Sequence, residues 1–285
     1  MEIIIAEESG LCYGVKRALT TARRTRRTRS GEVRTLGELI HNPRVVADLA
    51  AAGIGSAEDP ADVRTGTVII RSHGVSPEVY RRLRRRKIAI VDATCPIVQN
   101  IQRLVAALAR RGREVVIVGH REHPETMGLL GYSRGRGVVV EDEAQARRLP
   151  FRKSRAVLAQ STHDLEAFQR VVAALIERTR DLAVHNTICD STRTRQKAAA
   201  ELAGRVDAMF VVGGRRSSNT ARLYEISKRI QPRTFFIENA AQITPAMLRG
   251  TRTIGIAGGA STPPEAVQEA VDAIERSFER NSTRE

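Results

Sequence analysis

Residues 88–96 read Ile-Ala-Ile-Val-Asp-Ala-Thr-Cys-Pro, so a strand-like apolar run ends at a cysteine and a helix-like pattern begins there. The chain has 285 residues and three cysteines, and the other two stand at similar junctions. These junctions read Gly10-Leu11-Cys12-Tyr13-Gly14 and Thr187-Ile188-Cys189-Asp190. One cysteine in each third of the chain, always at the end of an element, predicts three similar lobes whose cysteines meet at one point.

Apolar runs rich in Ile and Val recur along the chain, and segments of helical period lie between most of them. The predicted strands are residues 3–6, 68–71, 88–91, 115–118, 138–140, 157–159, 209–212, 234–237 and 254–257. Alternating strands and helices are typical of α/β layers with mainly parallel sheets. The predicted fold class is therefore α/β, with three similar lobes of mainly parallel sheet. The predicted lobes are residues 1–95, 96–189 and 190–285, and the C-terminal helix is a candidate to complete the first.

Composition excludes several classes of protein. The hydrophobic fraction of 41% and the charged fraction of 28% are typical of a globular chain with a sizeable core. The apolar runs are strand-sized and far too short to cross a membrane. No basic segment precedes residues 3–5, so we expect a cytoplasmic protein without a signal peptide or a membrane partner. Three cysteines far apart in sequence argue against a disulfide framework.

The net charge of +15 raises nucleic-acid binding without catalysis as an alternative. Aromatic residues are only 4% of the chain and tryptophan is absent, so stacking platforms for bases are scarce. The densest basic runs, residues 23–27 and 81–86, fall on helix-like segments, where a solvated face is the simpler interpretation. This alternative is the weakest of those considered, and we expect the charge to attract a small polyanionic substrate.

The spacing of the cysteines discriminates between kinds of metal site. A single free cysteine is most often a small buried hydrophobe, but three at comparable positions fit that role poorly. A structural zinc site would usually show a pair such as CxxC, which this sequence lacks. Thiolates of Cys12, Cys95 and Cys189 suit an iron–sulfur cluster better. Most clusters use four thiolates, so a cluster held by three keeps one iron open to a substrate.

Polar and small residues collect directly after the predicted strands, at the edge where parallel sheets build their sites. Histidines and hydroxyls at such an edge, aided by helix N-termini, can surround a phosphate or diphosphate. The candidates are His41, His73, His123, Ser217, Ser218, Asn219 and Ser261. His120 is an intermediate case, and we expect ordinary structural roles for His163 and His185.

Glu125 follows His123-Pro124 at the mouth of the predicted site. Its functional interpretation is a proton donor, with Ser161 or Thr162 as a hydroxyl relay. Its simpler interpretation is a favourable acid in the first turn of the next helix. Residues 217–219 also have a simpler interpretation as a helix N-cap, which is compatible with anion binding because both use the first turn.

Together these motifs resemble the 4-hydroxy-3-methylbut-2-enyl diphosphate reductases, in unbroken order from the first strand to about Ser261. The matching stretches are residues 10–15, 40–42, 72–76, 92–96, 119–125, 217–219 and 259–261. The resemblance implies three α/β lobes around a central 4Fe-4S cluster with three cysteine ligands and one open iron. It also implies reductive removal of a hydroxyl from an allylic diphosphate, the last step of the non-mevalonate isoprenoid pathway. The products would be isopentenyl diphosphate and dimethylallyl diphosphate.

The resemblance assigns roles to residues and partners as well. It implies Cys12, Cys95 and Cys189 as cluster ligands and the seven histidine, serine and asparagine candidates around the diphosphate. It implies Glu125 as the proton source, with Ser161 and Thr162 nearby. Ferredoxin or flavodoxin would deliver the electrons one at a time.

The chain departs from the family pattern at several positions. Alanine is usual at Tyr13 and threonine at Ser161, and residues 98–102 read Val-Gln-Asn-Ile-Gln where Val-Thr-Lys-Val-His is usual. A phenol beside the first cysteine would reshape the substrate cavity. Tyr13 therefore motivates an alternative, a diverged homologue with the same cluster that acts on another phosphorylated or hydroxylated small molecule.

Overall fold

The computed structural model describes residues 1–282, so residues 283–285 of the predicted third lobe lie outside the described part of the chain. The chain divides into two compact units. The first unit holds residues 1–13, 41–45 and those from Asp190 onward, and the second holds residues 14–40 and 46–189.

The described chain has eleven α-helices, and two short 3-10 helices cover Pro60–Asp62 and Ala240–Gln242. The α-helices are α1 (Tyr13–Thr28), α2 (Pro43–Ala51), α3 (Pro77–Arg85), α4 (Pro96–Arg110), α5 (Pro124–Tyr132), α6 (Glu143–Arg147), α7 (Leu165–Ile176), α8 (Asp190–Ala203), α9 (Ser218–Ile230), α10 (Pro245–Leu248) and α11 (Pro264–Ser282).

The second unit contains two four-stranded parallel sheets. The strands of one are β2 (Val33–Leu36), β3 (Ile54–Ala57), β4 (Thr67–Ile70) and β5 (Ala89–Asp92), in the order β3-β2-β4-β5. The strands of the other are β6 (Glu114–Val118), β7 (Gly137–Val140), β8 (Arg152–Ala159) and β9 (Thr179–His185), in the order β7-β6-β8-β9.

Residues 115–118 of β6 and 156–159 of β8 are continuously apolar because helices cover both faces of their sheet. Side chains alternate along β6, so Val116 and Val118 pack on the side of α7, where Phe168 is buried. Val115 and Ile117 pack on the opposite side, against residues of α4 and α5. A strand covered on one face only would have alternated apolar with polar residues.

The first unit contains the third sheet. Its strands are β10 (Ala208–Val212), β11 (Thr234–Ile237), β12 (Thr253–Gly258) and the N-terminal strand β1 (Glu2–Ile5), in the order β11-β10-β12-β1. Helix α11 buries Val267, Ala270 and Ile274 in the core on one face of this sheet.

All three sheets have one topology. If the strands of each are numbered in the order first, second, third and fourth, with β1 as the fourth strand of the third sheet, the spatial order is always second-first-third-fourth. The direction of strand progression reverses between the first and third strands. Doubly wound parallel sheets bind ligands beyond the carboxyl ends of the strands at such a reversal. The loops after β2, β4, β6, β8, β10 and β12 are therefore the positions to search for a site.

The predicted α/β class with three parallel-sheet lobes is confirmed, and all nine predicted strands form. Three strands were not predicted, namely β2, β3 and β9. The structure also differs from the predicted first lobe of residues 1–95, because β1 pairs with β12 of the third sheet. The C-terminal helix packs on that same sheet. An apolar run such as residues 3–6 predicts a strand but carries no information about which strand it pairs with.

Candidate active site

Each cysteine lies after the fourth strand of one sheet and directly before a helix. Cys95 follows β5 and is the N-cap of α4, Cys189 follows β9 and precedes α8, and Cys12 follows β1 and precedes α1. All three are half-buried, and none of them forms a disulfide within the described residues. A helix N-terminus stabilises negative charge, so each position suits a thiolate that ligates a metal cluster.

The backbone of each cysteine is fixed to the loop after the neighbouring third strand of its own sheet. The N–H of Cys95 donates to the carbonyl of Ser72 at 2.9 Å, and the N–H of Cys189 donates to the carbonyl of Ser161 at 2.9 Å. The N–H of Cys12 donates to the carbonyl of Ala260 at 3.0 Å. The three predicted ligands therefore share one local geometry, and three half-buried cysteines outside any disulfide fit an iron–sulfur cluster.

Glu125 is the second residue of α5 and is only 2% exposed. One carboxylate oxygen accepts the backbone N–H of Ser161 at 2.7 Å, and the other accepts its hydroxyl at 2.7 Å. Burial raises the pKa of Glu125, and the two hydrogen bonds from Ser161 oppose that shift only in part. Glu125 therefore holds a proton more readily than an exposed carboxyl does, in direct contact with the predicted relay hydroxyl.

Two of the predicted imidazoles lie together in the second unit. His123 is the N-cap of α5, and its Nδ1 accepts the backbone N–H of Glu125 at 3.2 Å. A neutral histidine that accepts at Nδ1 carries its proton on Nε2. The ring of His73 meets that of His123 edge to face, with centroids 5.3 Å apart. The loop after β4 and the loop after β6 thus bring two predicted anion-binding groups side by side.

Gln160 is a site residue that the sequence analysis missed. It is buried after β8, and its Oε1 accepts the backbone N–H of His120 at 3.2 Å and the hydroxyl of Thr126 at 3.3 Å. Its Nε2 donates to the hydroxyl of Thr162 at 2.9 Å. A Cβ on Gly119 would lie 2.7 Å from Gln160 Oε1, so only glycine permits this approach. Gln160 therefore fixes the second predicted relay hydroxyl.

In the first unit, the loops after β10 and β12 meet the segment that holds His41. The hydroxyl of Ser261 lies 3.3 Å from the hydroxyl of Ser217 and 3.3 Å from the carbonyl of His41. Asn42, also missed by the sequence analysis, donates from Nδ2 to the carbonyl of Ser261 at 2.9 Å. Ser217 is also the N-cap of α9, as its simpler interpretation predicts. Ser218 is the first residue of that helix.

Asn219 offers a hydrogen-bond donor to this site. It is 3% exposed, and its Oδ1 accepts the backbone N–H of Ala260 at 2.9 Å. Among the described residues its Nδ2 has no hydrogen-bond partner. Leaving a buried donor unsatisfied costs about 1–3 kcal/mol, so a ligand acceptor at this position would be stabilised. The arrangement fits an anion bound at the start of α9.

Arg195 joins two stretches of the first unit through hydrogen bonds. The sequence analysis did not identify it as a site residue. It is 4% exposed, and its guanidinium donates to the carbonyl of Gly10 at 3.0 Å and to the carbonyl of Ser191 at 3.1 Å. It also contacts the Ser191 hydroxyl and lies 3.8 Å from the carboxylate of Glu8. Gly10 and Ser191 each stand two residues from a predicted cluster ligand.

The side chains of the other residues named in the sequence analysis lie outside the hydrogen-bonded groups described above. Tyr13 begins α1 with 73% of its surface exposed. His163 is buried, and its Nδ1 accepts the N–H of Asp164 at 2.7 Å. His185 is the last residue of β9, and His120 lies 4.0 Å from the carboxylate of Glu141. None of these contacts points to a catalytic role.

The chain is similar to proteins of one family over nearly its whole length. The family model described as LytB protein matches residues 3–275. The 4-hydroxy-3-methylbut-2-enyl diphosphate reductase of Geobacter sp. (strain M21) is 42% identical over 275 residues, which are 96% of this chain and 97% of that protein. The reductase of the same name from Aquifex aeolicus (strain VF5) is 40% identical over 278 residues, which are 96% of each chain.

Solved structures agree with these relatives. A structure of (E)-4-hydroxy-3-methyl-but-2-enyl diphosphate reductase, described as the terminal enzyme of the non-mevalonate pathway, is 39% identical, with a TM-score of 0.69 over 97% of this chain and 100% of that one. The reductase from Plasmodium falciparum has a TM-score of 0.90 over 95% of this chain and 87% of that one. At 24% identity it shows the fold alone.

Fold and strand-end residues together define an α/β oxidoreductase of three parallel-sheet lobes. The chain belongs to the LytB protein family, and membership implies an iron–sulfur enzyme. The family resemblance inferred from the motifs is thereby confirmed.

Proposed function

We propose that this protein reductively dehydroxylates 4-hydroxy-3-methylbut-2-enyl diphosphate to isopentenyl and dimethylallyl diphosphate. The observation that supports this most is the buried Glu125–Ser161 pair, in which a carboxyl of raised pKa is bonded to the loop that also anchors Cys189. The reaction consumes two electrons and two protons. One proton leaves with the hydroxyl as water, and the other ends on carbon.

The cofactor of this proposal is a 4Fe-4S cluster held by Cys12, Cys95 and Cys189, with one iron open. When bound, it supplies the electrons and a Lewis-acidic position for the substrate hydroxyl. The chain's own contribution is to fix the backbone of each ligand through the bonds to Ser72, Ser161 and Ala260. These bonds support the proposal, because each proposed ligand is joined to a loop that carries a candidate substrate-binding or proton-transfer group.

The proton path is proposed to begin at Glu125. Its raised pKa favours the protonated carboxyl, and Ser161 Oγ lies 2.7 Å from Glu125 Oε2. A carboxylic acid at this place makes the substrate oxygen leave as water rather than as hydroxide. Thr162, fixed by Gln160, is the second hydroxyl of the proposed path.

The diphosphate is proposed to bind the histidine, serine and asparagine side chains of the loops described above. Its ligands would be His41, His73, His123, Ser217, Ser218, Asn219 and Ser261. The Nε2–H of His123, the Nδ2 of Asn219 and the N-terminus of α9 are the donors that an anion needs. Binding energy from this remote group places the reacting carbon and hydroxyl.

The electron donor is proposed to be ferredoxin or flavodoxin, and the reaction to be cytoplasmic. Among the described residues, no helix is long and apolar enough to cross a bilayer. Nucleic-acid binding stays the alternative that the net charge of +15 raises.

Turnover of the allylic diphosphate by anaerobically reconstituted protein, with a reduced viologen as electron source, tests the proposal. Substrate-dependent viologen oxidation that Cys95→Ser abolishes is expected. A reconstituted protein that retains iron and sulfide but leaves the viologen reduced would reject this substrate. It would favour the alternative substrate that Tyr13 motivates.

A further inference from the structure

A surface groove of about 540 Å³ in the second unit is not part of the proposed active site. It lies along α3 and α4 and reaches the end of α5. The lining residues used below are Tyr80, Arg84, Asp92, Gln99, Gln102 and Arg103. Two features singled out in the sequence meet here, the basic run of residues 81–86 and the departure from the family pattern at residues 99–102. The proposed function uses neither of them.

The charges of the groove favour an anion. Arg84 lies over the ring of Tyr80 at 5.8 Å, and Arg103 donates to the side-chain oxygen of Asn100 at 2.8 Å. Within residues 1–282, neither arginine has a carboxylate partner. Arg81, by contrast, is paired with Glu78. Two guanidinium groups with no carboxylate to neutralise them thus face the same groove.

The one acidic lining residue already has its hydrogen-bond partners. The Oδ2 of Asp92 accepts the hydroxyl of Tyr80 at 2.9 Å and the amide of Gln99 at 3.4 Å. Its Oδ1 accepts the backbone N–H of Thr94 at 2.9 Å. Burial and the Asp92 charge raise the pKa of Tyr80, so the phenol keeps the proton that it donates. The Asp92 carboxylate therefore already accepts hydrogen bonds within the protein, which makes it a poor partner for either arginine.

A buried amide, that of Gln102, lies beneath the groove. Gln102 is 4% exposed, and its Nε2 has no hydrogen-bond partner among the described residues. A Cβ added to Gly74 would clash with this amide. Gln102 therefore packs against the backbone next to His73. Asp92, through Thr94, supports the segment that leads to Cys95.

We infer that this groove binds the phosphate group of a small phosphorylated molecule, at a site separate from the one that holds the substrate diphosphate. Arg84 and Arg103 would bind the phosphate oxygens, since guanidinium groups form strong charge-assisted bonds to phosphate. A volume of about 540 Å³ is ample for a metabolite-sized ligand.

The test uses the full chain carrying Ser217→Ala, which weakens anion binding at the start of α9, and inorganic phosphate as the probe. Phosphate affinity is measured by ³¹P NMR titration or calorimetry in chloride buffer. The groove variant adds Arg84→Gln and Arg103→Gln. The matched control adds Arg85→Gln and Arg110→Gln, which remove the same charge from the same two helices, outside the groove lining.

The expected result is a loss of affinity of about tenfold or more in the groove variant, the effect of two charge-assisted contacts. The control should stay within about twofold of the Ser217→Ala protein. Equal losses in both variants would mean that phosphate is attracted only by the overall net charge of +15, which would overturn the inference. Absence of phosphate binding in the Ser217→Ala protein would overturn it as well. Neither outcome bears on reductase turnover, so this test and that of the proposed function fail separately.

Discussion

Both carboxylate oxygens of Glu125 accept hydrogen bonds from a single residue, Ser161, at 2.7 Å from its backbone N–H and 2.7 Å from its hydroxyl. The backbone carbonyl of the same Ser161 accepts the N–H of Cys189. Ser161 thus holds the predicted proton donor through its N–H and hydroxyl. It holds the predicted cluster ligand, Cys189, through its carbonyl.

Replacing the acid by its amide separates proton supply from structure. Glu125→Gln keeps the shape and can keep both contacts to Ser161, but it has no proton to release. We expect turnover to fall by about 10²- to 10⁴-fold, the usual contribution of a general acid. Iron and sulfide content and diphosphate binding should stay at wild-type levels. Full turnover by this variant would remove Glu125 from the proton path.

The raised pKa of Glu125 also predicts a pH dependence of stability. Burial favours the protonated form of Glu125 in the folded chain. Above the pKa of the unfolded carboxyl, folding must either bind a proton or bury a charge, and both lower the free energy of unfolding. The free energy of unfolding should therefore fall as pH rises from the ordinary range of a carboxyl through the raised pKa. Glu125→Gln should lose this part of the dependence. Denaturant titrations of both proteins at several pH values measure it, and superimposable profiles would contradict it.

A matched pair of variants separates the hydrogen bond of the Ser161 hydroxyl from its packing. Ser161→Ala removes the hydroxyl bond to Glu125 but keeps the backbone bond, so we expect about a tenfold loss of turnover from one unsatisfied buried acceptor. Ser161→Thr keeps the hydroxyl and should retain most of the activity. If alanine and threonine reduce turnover equally, the role of Ser161 is packing rather than hydrogen bonding.

The strands that the sequence failed to predict show what a local pattern lacks. β3 reads Ile-Gly-Ser-Ala and β9 reads Thr-Arg-Asp-Leu-Ala-Val-His, and both lie at sheet edges where polar residues are tolerated. β2 lies inside its sheet, but four residues that include Arg34 give too little apolar signal. Five of the nine predicted strands, namely β4, β6, β8, β10 and β12, lie inside their sheets, where the run itself is apolar.

The site was predicted through residue types whose chemistry is distinctive, namely thiols, imidazoles and a carboxyl after strands. Gln160 was missed because an amide between Ala159 and Ser161 has no such signature. Its role depends on Gly119, 41 positions earlier, leaving room for its side chain. The partner of β1 could not be predicted for the same reason, since pairing with β12 is a contact across almost the whole chain.

Glycine at position 214 should be required for anion binding. A Cβ there would lie 2.6 Å from the backbone carbonyl of His41, which cannot move as a flexible side chain would. We expect Gly214→Ala to displace the loop before Ser217 and weaken inorganic diphosphate binding by about tenfold, a cost typical of overpacking. Gly204→Ala, whose Cβ would have its nearest neighbour at 3.7 Å, is the control and should bind normally. Normal binding by Gly214→Ala would show that this loop does not contact the diphosphate.

Arg195 provides a prediction about the cluster that does not depend on turnover. Its guanidinium bonds to Gly10 and Ser191, so it fixes the chain two residues before Cys12 and two residues after Cys189. Arg195→Gln removes a buried positive charge and the guanidinium bond to the Gly10 carbonyl, which should lower the free energy of unfolding by about 3 kcal/mol. It should also make the reconstituted cluster harder to reduce, because the added electron loses a nearby positive charge.

Arg195→Lys keeps the charge and should recover most of the potential but less of the stability, since an ammonium cannot span two carbonyls as a planar fork does. A purely structural role would change stability in both variants and leave the potential of Arg195→Gln at the wild-type value.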